Sequence, residues 1–336
     1  MNTKSLAIKI SVTFVLLILV LSNVDINAIK VKLEALSPAA ILAGIAICLI
    51  QNLALAGRWA RVTDFVQGTL SLGSAIECTL ISQLISQGLP ASIGGDALRI
   101  WWLTRDGASA RIALLSVLLD RVAGFFALIV LGFFSVALLV PRITTMHKTA
   151  LVFWIVATAL LACICTATRR ARWLAIACYL RLPHTLRRRP AIGTLMRTLL
   201  RFQRCLGQLI LSADGVSVLV WSLAIHLATV TLCYIVVDNV GIPVTFWQLM
   251  ATVPLVMLLS YLPISIGGWG MREGSMALAL SVLSVPATDG VFVGFVLGAF
   301  SLCAAAAGGA LWLFLPSPFA ARSKIEAART HEVPEG

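Results

Sequence analysis

The chain has 336 residues, of which 60% are hydrophobic and 12% are charged. Soluble domains carry about 25% charged residues, so this composition excludes an ordinary soluble protein and indicates a polytopic helical membrane protein. The net charge of +12 does not predict nucleic-acid binding, because the Lys and Arg residues cluster in loops between apolar runs, as they do in cytosolic loops of membrane proteins.

The first apolar run covers residues 10–24 and follows two lysines, which predicts a membrane helix with a cytosolic N-terminus. A cleaved signal peptide is the alternative because the run is short, although no clear A-x-A cleavage site follows it. Residues 38–56 are the second predicted span. Residues 57–68, which include Arg58 and Arg61, are predicted to form a cytosolic loop.

The next segment, residues 69–87, is apolar on one side and polar on the other, and it leads into LPASIGGDALR at residues 89–99. A short helix is predicted over residues 96–104, with Asp96 as a favourable N-cap. A basic loop follows at residues 104–111. Because the chain enters and leaves on the same basic side, we predict a re-entrant hairpin here.

Residues 112–140 form an apolar run whose helix would be about 43 Å long at about 1.5 Å per residue, and Asp120 and Arg121 lie one third of the way along it. Another span is predicted at residues 151–166. Residues 169–215 contain ten arginines and one acid, so they are predicted to be the largest cytosolic segment and to set the orientation. Contact of this segment with anionic lipid is a further expectation.

The second half repeats the order of the first: a span, a half-length helix, a broken segment, a second half-helix and a span, at residues 216–237, 246–260, 262–272, 271–283 and 290–315. The last span carries Gly290, Gly294 and Gly298 at intervals of four, a pattern typical of close helix packing.

The two broken segments share the pattern LPxSIGGxxxR, with every shared letter 173 positions apart. Proline and paired glycines interrupt helices, and such backbone survives in a bilayer only where it is buried in protein or lines a wet cavity. We therefore predict an all-α polytopic membrane protein with six full transmembrane helices plus two re-entrant half-helix hairpins. The hairpins are predicted to belong to an inverted repeat, with units at about residues 39–140 and 216–315.

The membrane domain is expected to cover residues 1–318, and residues 319–336 are expected to be a disordered cytosolic tail. Basic loops on one side place both termini in the cytosol.

Arg99 and Arg272 end the two broken segments at equivalent positions, about one turn inside the half-helices. Helix N-termini favour anions, and a guanidinium can hold a phosphate bidentately, so both arginines are predicted to bind a lipid headgroup. The alternative is that each arginine only ties down its hairpin by bonding carbonyls or an acid. The glycines predicted to let the backbone approach the headgroup are Gly94, Gly95, Gly267 and Gly268.

The acids of the apolar segments, together with Arg121, are predicted to form an intramembrane polar network: Glu77, Asp96, Asp120, Arg121 and Glu273. Asp120 and Arg121 are adjacent, so they project about 100° apart and each needs its own partner. We predict that Asp120 pairs with Arg99 or Arg272. Arg121 is predicted to pair with Glu77 or Asp96. The alternative places Asp120 and Arg121 at headgroup level, since residues 122–140 alone can span the core.

His226 is a lone histidine in a span, predicted to be a hydrogen-bonded interior residue rather than a proton relay. The chain contains no HExxH, Walker, GxSxG or dinucleotide pattern, and its eight cysteines include no CxxC pair. We therefore expect no enzymatic activity, no cofactor and no metal.

The GGDxxR core at residues 94–99, the Asp120-Arg121 pair and SIGGxGxRE at residues 265–273 resemble the flippase-like membrane family of the lysylphosphatidylglycerol synthase transmembrane region. The resemblance covers about residues 6–315. It implies a bacterial or archaeal inner-membrane location, here the bacterial cell inner membrane, and translocation of a lipid between leaflets.

One departure from the family concerns the synthase activity. The bifunctional synthases carry a cytosolic aminoacyl-transferase domain after the membrane part, whereas this chain ends 21 residues after residue 315, so it is not expected to aminoacylate lipid. We expect flipping of an anionic or polar-headgroup lipid, with membrane lipids as partners. The alternative is a non-transporting accessory protein that binds a lipid-modifying enzyme of a lipid, hopanoid or envelope-glycan pathway.

Overall fold

The computed structural model describes residues 25–88, 93–139, 190–261 and 265–314. The regular elements in these ranges are α-helices, numbered here α1 (Ile26–Ala35), α2 (Pro38–Phe65), α3 (Leu72–Gly88), α4 (Ile93–Arg105), α5 (Ala110–Leu139), α6 (Pro190–Ile210), α7 (Ala213–Asn239), α8 (Phe246–Ser260), α9 (Met271–Ser281) and α10 (Ala287–Phe314). Several predicted segments lie outside the described residues: the spans at 10–24 and 151–166, most of the basic segment before residue 190, the tail at 319–336, and the proline of each broken segment.

Four of the described helices are long and apolar enough to cross a membrane: α2, α5, α7 and α10. The chain is therefore an all-helical membrane protein, as its composition predicts. Helix α2 has 28 residues, which corresponds to about 42 Å of helix. It starts with Ser37 as N-cap, whose hydroxyl accepts a bond from the Ala40 amide, followed by Pro38 at the first helical position, where a proline costs no hydrogen bond.

The predicted cytosolic loop at residues 57–68 is wrong over most of its length, because α2 continues to Phe65. Trp59 is fully buried and Arg58 is only 5% exposed. An arginine after an apolar run is typical of the start of a basic loop. Here the helix continues, because the Arg58 guanidinium pairs with the buried carboxylate of Asp120. The true connection to α3 begins at Val66 and includes Gln67 with a positive φ of 65°.

Two pairs of short helices follow the pattern that the broken segments predict. Helices α3 and α4 have 17 and 13 residues and pack on each other; α8 and α9 have 15 and 11 residues and do the same. Helix α8 starts with a capping box, in which Thr245 and Gln248 satisfy each other's backbone amides. Helix α4 begins at Ile93, so the prediction that Asp96 is its N-cap is wrong: Asp96 lies in the first turn.

Helix contacts in the first half have counterparts in the second half. Helix α2 packs on α3, α5 and α10, while α7 packs on α8, α10 and α5. Helix α5 packs on α8 and α4, while α10 packs on α3 and α9. The long helices α2 and α7 also contact each other. Each half therefore places the first helix of its short pair against the long helix that ends the other half.

The glycines of α10 lie against α9. A Cβ on Gly294 would come within 2.8 Å of the Glu273 Cα, and a Cβ on Gly290 would collide with Ala277. A Cβ on Gly298 would overlap the Arg272 guanidinium. The prediction that this glycine row serves close helix packing is confirmed, and the close packing holds the second short helix pair firmly against a membrane span.

Candidate functional site

A cavity of about 280 Å³ lies between the two short helix pairs and the four long helices. The first broken segment contributes Gly95, Asp96 and Arg99 to its wall. The second contributes Gly267, Gly268 and Arg272. Two stretches that are 173 positions apart in sequence therefore meet at one polar chamber.

The most buried charges of this wall form a triad of two arginines around one carboxylate. Asp120, only 1% exposed, accepts bonds from Nε and Nη2 of Arg58 at 2.7 and 3.1 Å. The other arginine, Arg99, donates from Nη1 to Asp120 at 3.2 Å. Arg58 also donates from Nη1 to the Ser222 hydroxyl at 3.1 Å. The predicted pairing of Asp120 with Arg99 is confirmed, and the tighter, bidentate partner is Arg58.

Arg121 is paired with Asp96 in a separate ion pair at the cavity wall. Its Nη2 lies 2.8 Å from one carboxylate oxygen, and its Nε lies 3.1 and 3.2 Å from the two oxygens. The two side chains are 31% and 25% exposed, so this pair faces open space, unlike the enclosed triad. The prediction that Arg121 pairs with Asp96 is confirmed. Adjacent residues of α5 thus use different acids, as the helical angle between them requires.

Arg272 is bonded within its own helix pair and to α10. Its Nε donates to the Gly294 carbonyl at 2.9 Å, and its Nη2 donates to the Glu273 carboxylate at 2.8 Å. The Glu273 carboxylate also accepts the Gly270 amide at the start of α9, as a first-turn acid can. The guanidinium lies 4.7 Å from the centre of the Trp269 ring. These contacts match the anchoring alternative, yet the side chain also lines the cavity.

Both arginines of the broken segments keep hydrogen-bonding capacity at the cavity. A guanidinium has five N–H donors. Within the described residues Arg99 uses one donor, on Asp120, and Arg272 uses two. Arg99 also stacks over the Trp59 ring at 5.0 Å from its centre, which fixes its plane without using a donor.

The glycines of the broken segments allow close backbone contact both within and between the two helix pairs. Gly267 and Gly268 have φ values of 58° and 77°, a backbone region that favours glycine. A Cβ on Gly267 would lie 3.1 Å from the Gln87 carbonyl at the end of α3. A Cβ on Gly95 would lie 2.8 Å from the Ser82 carbonyl. Gly94 lies in the first turn of α4 and is not part of the cavity wall.

Sequence reasoning missed Arg58 and a ring of amides that complete the wall. Gln51 donates to the Ile225 carbonyl and the Thr229 hydroxyl, both at 2.8 Å. The side-chain oxygen Oδ1 of Asn52 accepts a bond from Nε2 of Gln83 at 3.2 Å. The signal was available in the sequence, because positions 48, 51, 52, 55 and 58 of α2 all line the cavity and share one helical face.

Two further predicted residues have clear positions. His226 is buried, and its Nε2 donates to the Gly124 carbonyl at 3.1 Å, which confirms a hydrogen-bonded interior histidine. Glu77 is buried in α3 but is not part of the cavity wall. Within the described residues no group of three or more His, Cys, Asp or Glu side chains is arranged to hold a metal ion.

A protein-family model described as the lysylphosphatidylglycerol synthase TM region matches residues 6–309 of the chain. The match extends over nine tenths of the sequence and includes every residue of the cavity wall. No curated protein sequence matches the chain.

Proposed function

The chain belongs to the family of the lysylphosphatidylglycerol synthase transmembrane region, and from that premise we propose that it moves the headgroup of an anionic or polar lipid between membrane leaflets. Family membership and the four apolar helices support a lipid-related role in a membrane. The movement of the lipid is the step that we add.

The observation that carries the proposal is the shared cavity. Both broken segments reach it, and each presents an arginine, Arg99 or Arg272, with donors that no described residue occupies. Its volume of about 280 Å³ is just below the range of about 300–1,000 Å³ that is typical of small-molecule sites. That space suits a headgroup, while the acyl chains would remain in the surrounding lipid.

The charges around the cavity favour an anion. The charged groups in or against its wall are the guanidiniums of Arg58, Arg99, Arg121 and Arg272 and the carboxylates of Asp96, Asp120 and Glu273. Four positive and three negative charges leave a net charge of +1. A phosphate oxygen entering the cavity competes with Asp120 for Arg99. That exchange is favourable because Arg99 makes one bond of 3.2 Å to Asp120, whereas Arg58 makes two and keeps the carboxylate paired.

We propose that the units at residues 39–140 and 216–315 are related by inversion in the membrane. The equivalent helix contacts of the two halves support this relation. In such a repeat the first helix pair enters from one side of the bilayer and the second from the other, so the shared cavity is reached from each leaflet in turn. We further propose that both termini lie in the cytosol and that the protein is in a bacterial inner membrane; the positions of the basic segments support this orientation.

The test is lipid transfer in proteoliposomes of the purified full chain. A membrane-impermeant reductant outside the vesicles destroys the fluorescence of acyl-chain-labelled lipid in the outer leaflet. Transfer brings inner-leaflet lipid to the outer leaflet, so the rate of the further loss of fluorescence measures transfer. We expect Arg99→Gln to slow transfer about tenfold or more, because a hydrogen bond to a charged group contributes about 1.5–3 kcal/mol. Arg61→Gln is the matched control, since Arg61 is exposed and lies outside the cavity wall. Wild-type rates equal to empty vesicles with phosphatidylglycerol, phosphatidylethanolamine and a glycolipid would refute the proposal.

The second candidate is a non-transporting accessory protein for a lipid-modifying enzyme. The observation in its favour is that the buried carboxylates Asp120 and Glu273 are already paired within the chain, as in a purely structural core. This function predicts no transfer by the purified protein and a stable complex on co-purification. In either role we assign the cavity to binding, with no bond made or broken in the lipid.

A further inference from the structure

A second cavity lies away from the first, between α6 and the end of α2. Its volume is about 550 Å³, and its wall includes Phe65, Gln67, Arg197, Arg201, Arg204 and Cys205. We name this space the α6 groove. It shares no residue with the cavity between the helix pairs, so a ligand here is independent of the function proposed above.

Three arginines line the α6 groove from one side. Arg197, Arg201 and Arg204 follow each other at intervals of four and three residues, so they share one face of α6. Within the described parts of the chain no carboxylate forms an ion pair with any of them. Like charges at these intervals repel each other, and an anion between them removes that repulsion.

The arginine face is held in place by the apolar side of the same helix. Leu206 and Leu209 are buried, and Leu206 packs in a cluster with Val62, Leu115 and Val218. Helix α6 is therefore fixed against three membrane spans, which keeps its three arginines side by side on one face of the helix. A fixed row of planar forks suits phosphate recognition better than a mobile basic loop does.

The two sides of the α6 groove indicate where it lies relative to the bilayer. One side is the end of α2, a helix long enough to span a membrane. The other is an amphipathic helix that also exposes large apolar side chains, Leu199 and Ile210. Helices with a basic face and an apolar face lie in the interface plane of a bilayer, where the lipid phosphates are.

We propose that the α6 groove binds the phosphate group of an anionic phospholipid through Arg197, Arg201 and Arg204. The phosphodiester lies between the guanidiniums, and Phe65 contacts the apolar part of the molecule. The same phosphate chemistry occurs in soluble phosphates, so the test separates the two sources.

Cys205 provides a local readout because it lines the α6 groove and is partly accessible. The full chain is placed in phosphatidylcholine nanodiscs with or without phosphatidylglycerol and treated with a neutral maleimide. Mass spectrometry then follows alkylation of Cys205. Arg61→Cys supplies a control thiol in parallel samples, since position 61 is exposed and lies outside the α6 groove. Parallel samples in phosphatidylcholine alone receive glycerol 3-phosphate or inorganic phosphate.

We expect phosphatidylglycerol to slow alkylation of Cys205 about tenfold at about ten times its Kd, with no change at the thiol introduced by Arg61→Cys. Arg201→Gln with Arg204→Gln should remove the protection, Arg201→Lys with Arg204→Lys should keep part of it, and Arg61→Gln should leave it intact. Protection by the soluble phosphates alone supports the phosphate site and assigns a soluble ligand. The proposal is overturned if no probe slows alkylation of Cys205 more than that of the thiol introduced by Arg61→Cys, or if the double glutamine variant is protected equally well.

Discussion

The triad around Asp120 gives the sharpest prediction about stability. In Asp120→Asn the side chain keeps its shape but loses the charge that accepts bonds from Arg58 and Arg99. Both arginines are about 95% buried, so both guanidiniums stay largely desolvated. Removing one partner of a buried ion pair costs about 3–5 kcal/mol, because the remaining charge stays desolvated.

The matched control is Asp96→Asn, which makes the same chemical change in the neighbouring ion pair. Asp96 and Arg121 are 25% and 31% exposed, so solvent in the cavity screens the loss. For such a pair the expected cost is about 1 kcal/mol or less. The two variants therefore differ by about 2–4 kcal/mol in unfolding free energy through burial alone.

The assay is unfolding of the purified chain in mild detergent, followed by tryptophan fluorescence and by retention of the monodisperse peak after heating. Asp120→Asn should unfold at a clearly lower temperature than both wild type and Asp96→Asn. Equal unfolding temperatures for the two variants would show that the triad is hydrated or paired differently, and our account of the cavity wall would then be wrong.

Two further predictions concern packing and coupling. Gly294→Ala should destabilise the folded protein by about 1–3 kcal/mol, because its Cβ would press on the Glu273 backbone. Gly207→Ala should be neutral or stabilise it by up to about 1 kcal/mol, because its Cβ meets nothing within 4 Å. Thermal unfolding of both variants checks this, and equal losses of stability would contradict it. Arg58→Gln combined with Asp120→Asn should cost less than the sum of the two single changes, by about 0.5–3 kcal/mol; an additive double-mutant cycle would mean that the two side chains do not interact.

Much of the fold follows from local sequence signals. Apolar runs longer than a bilayer core predict the membrane spans, and a proline followed by paired glycines predicts where two of the apolar segments break. The pairing of Asp120 with Arg99 was also predictable, since few acids and few bases occur in the apolar segments and each needs a partner. These inferences follow from the properties of the lipid bilayer, which acts in the same way on any chain of this composition.

Local rules failed where a residue's role depends on distant parts of the chain. Arg58 follows an apolar run, so by sequence it resembles a cation at the cytosolic end of a span. Only the packing of α2 against α5 brings it onto Asp120, 62 positions away. Asp96 fits the preferences of an N-cap, yet α4 begins earlier and the carboxylate is taken by Arg121 of α5.

Hydropathy and backbone restrictions act between near neighbours, so they were enough to predict a helical membrane protein with two equivalent breaks. The shared cavity at both breaks, and the pairing of Asp120 with two arginines there, became visible only in the folded chain. A buried charge pairs with whichever opposite charge the packed helices bring within hydrogen-bonding distance, and that distance is unrelated to separation along the chain.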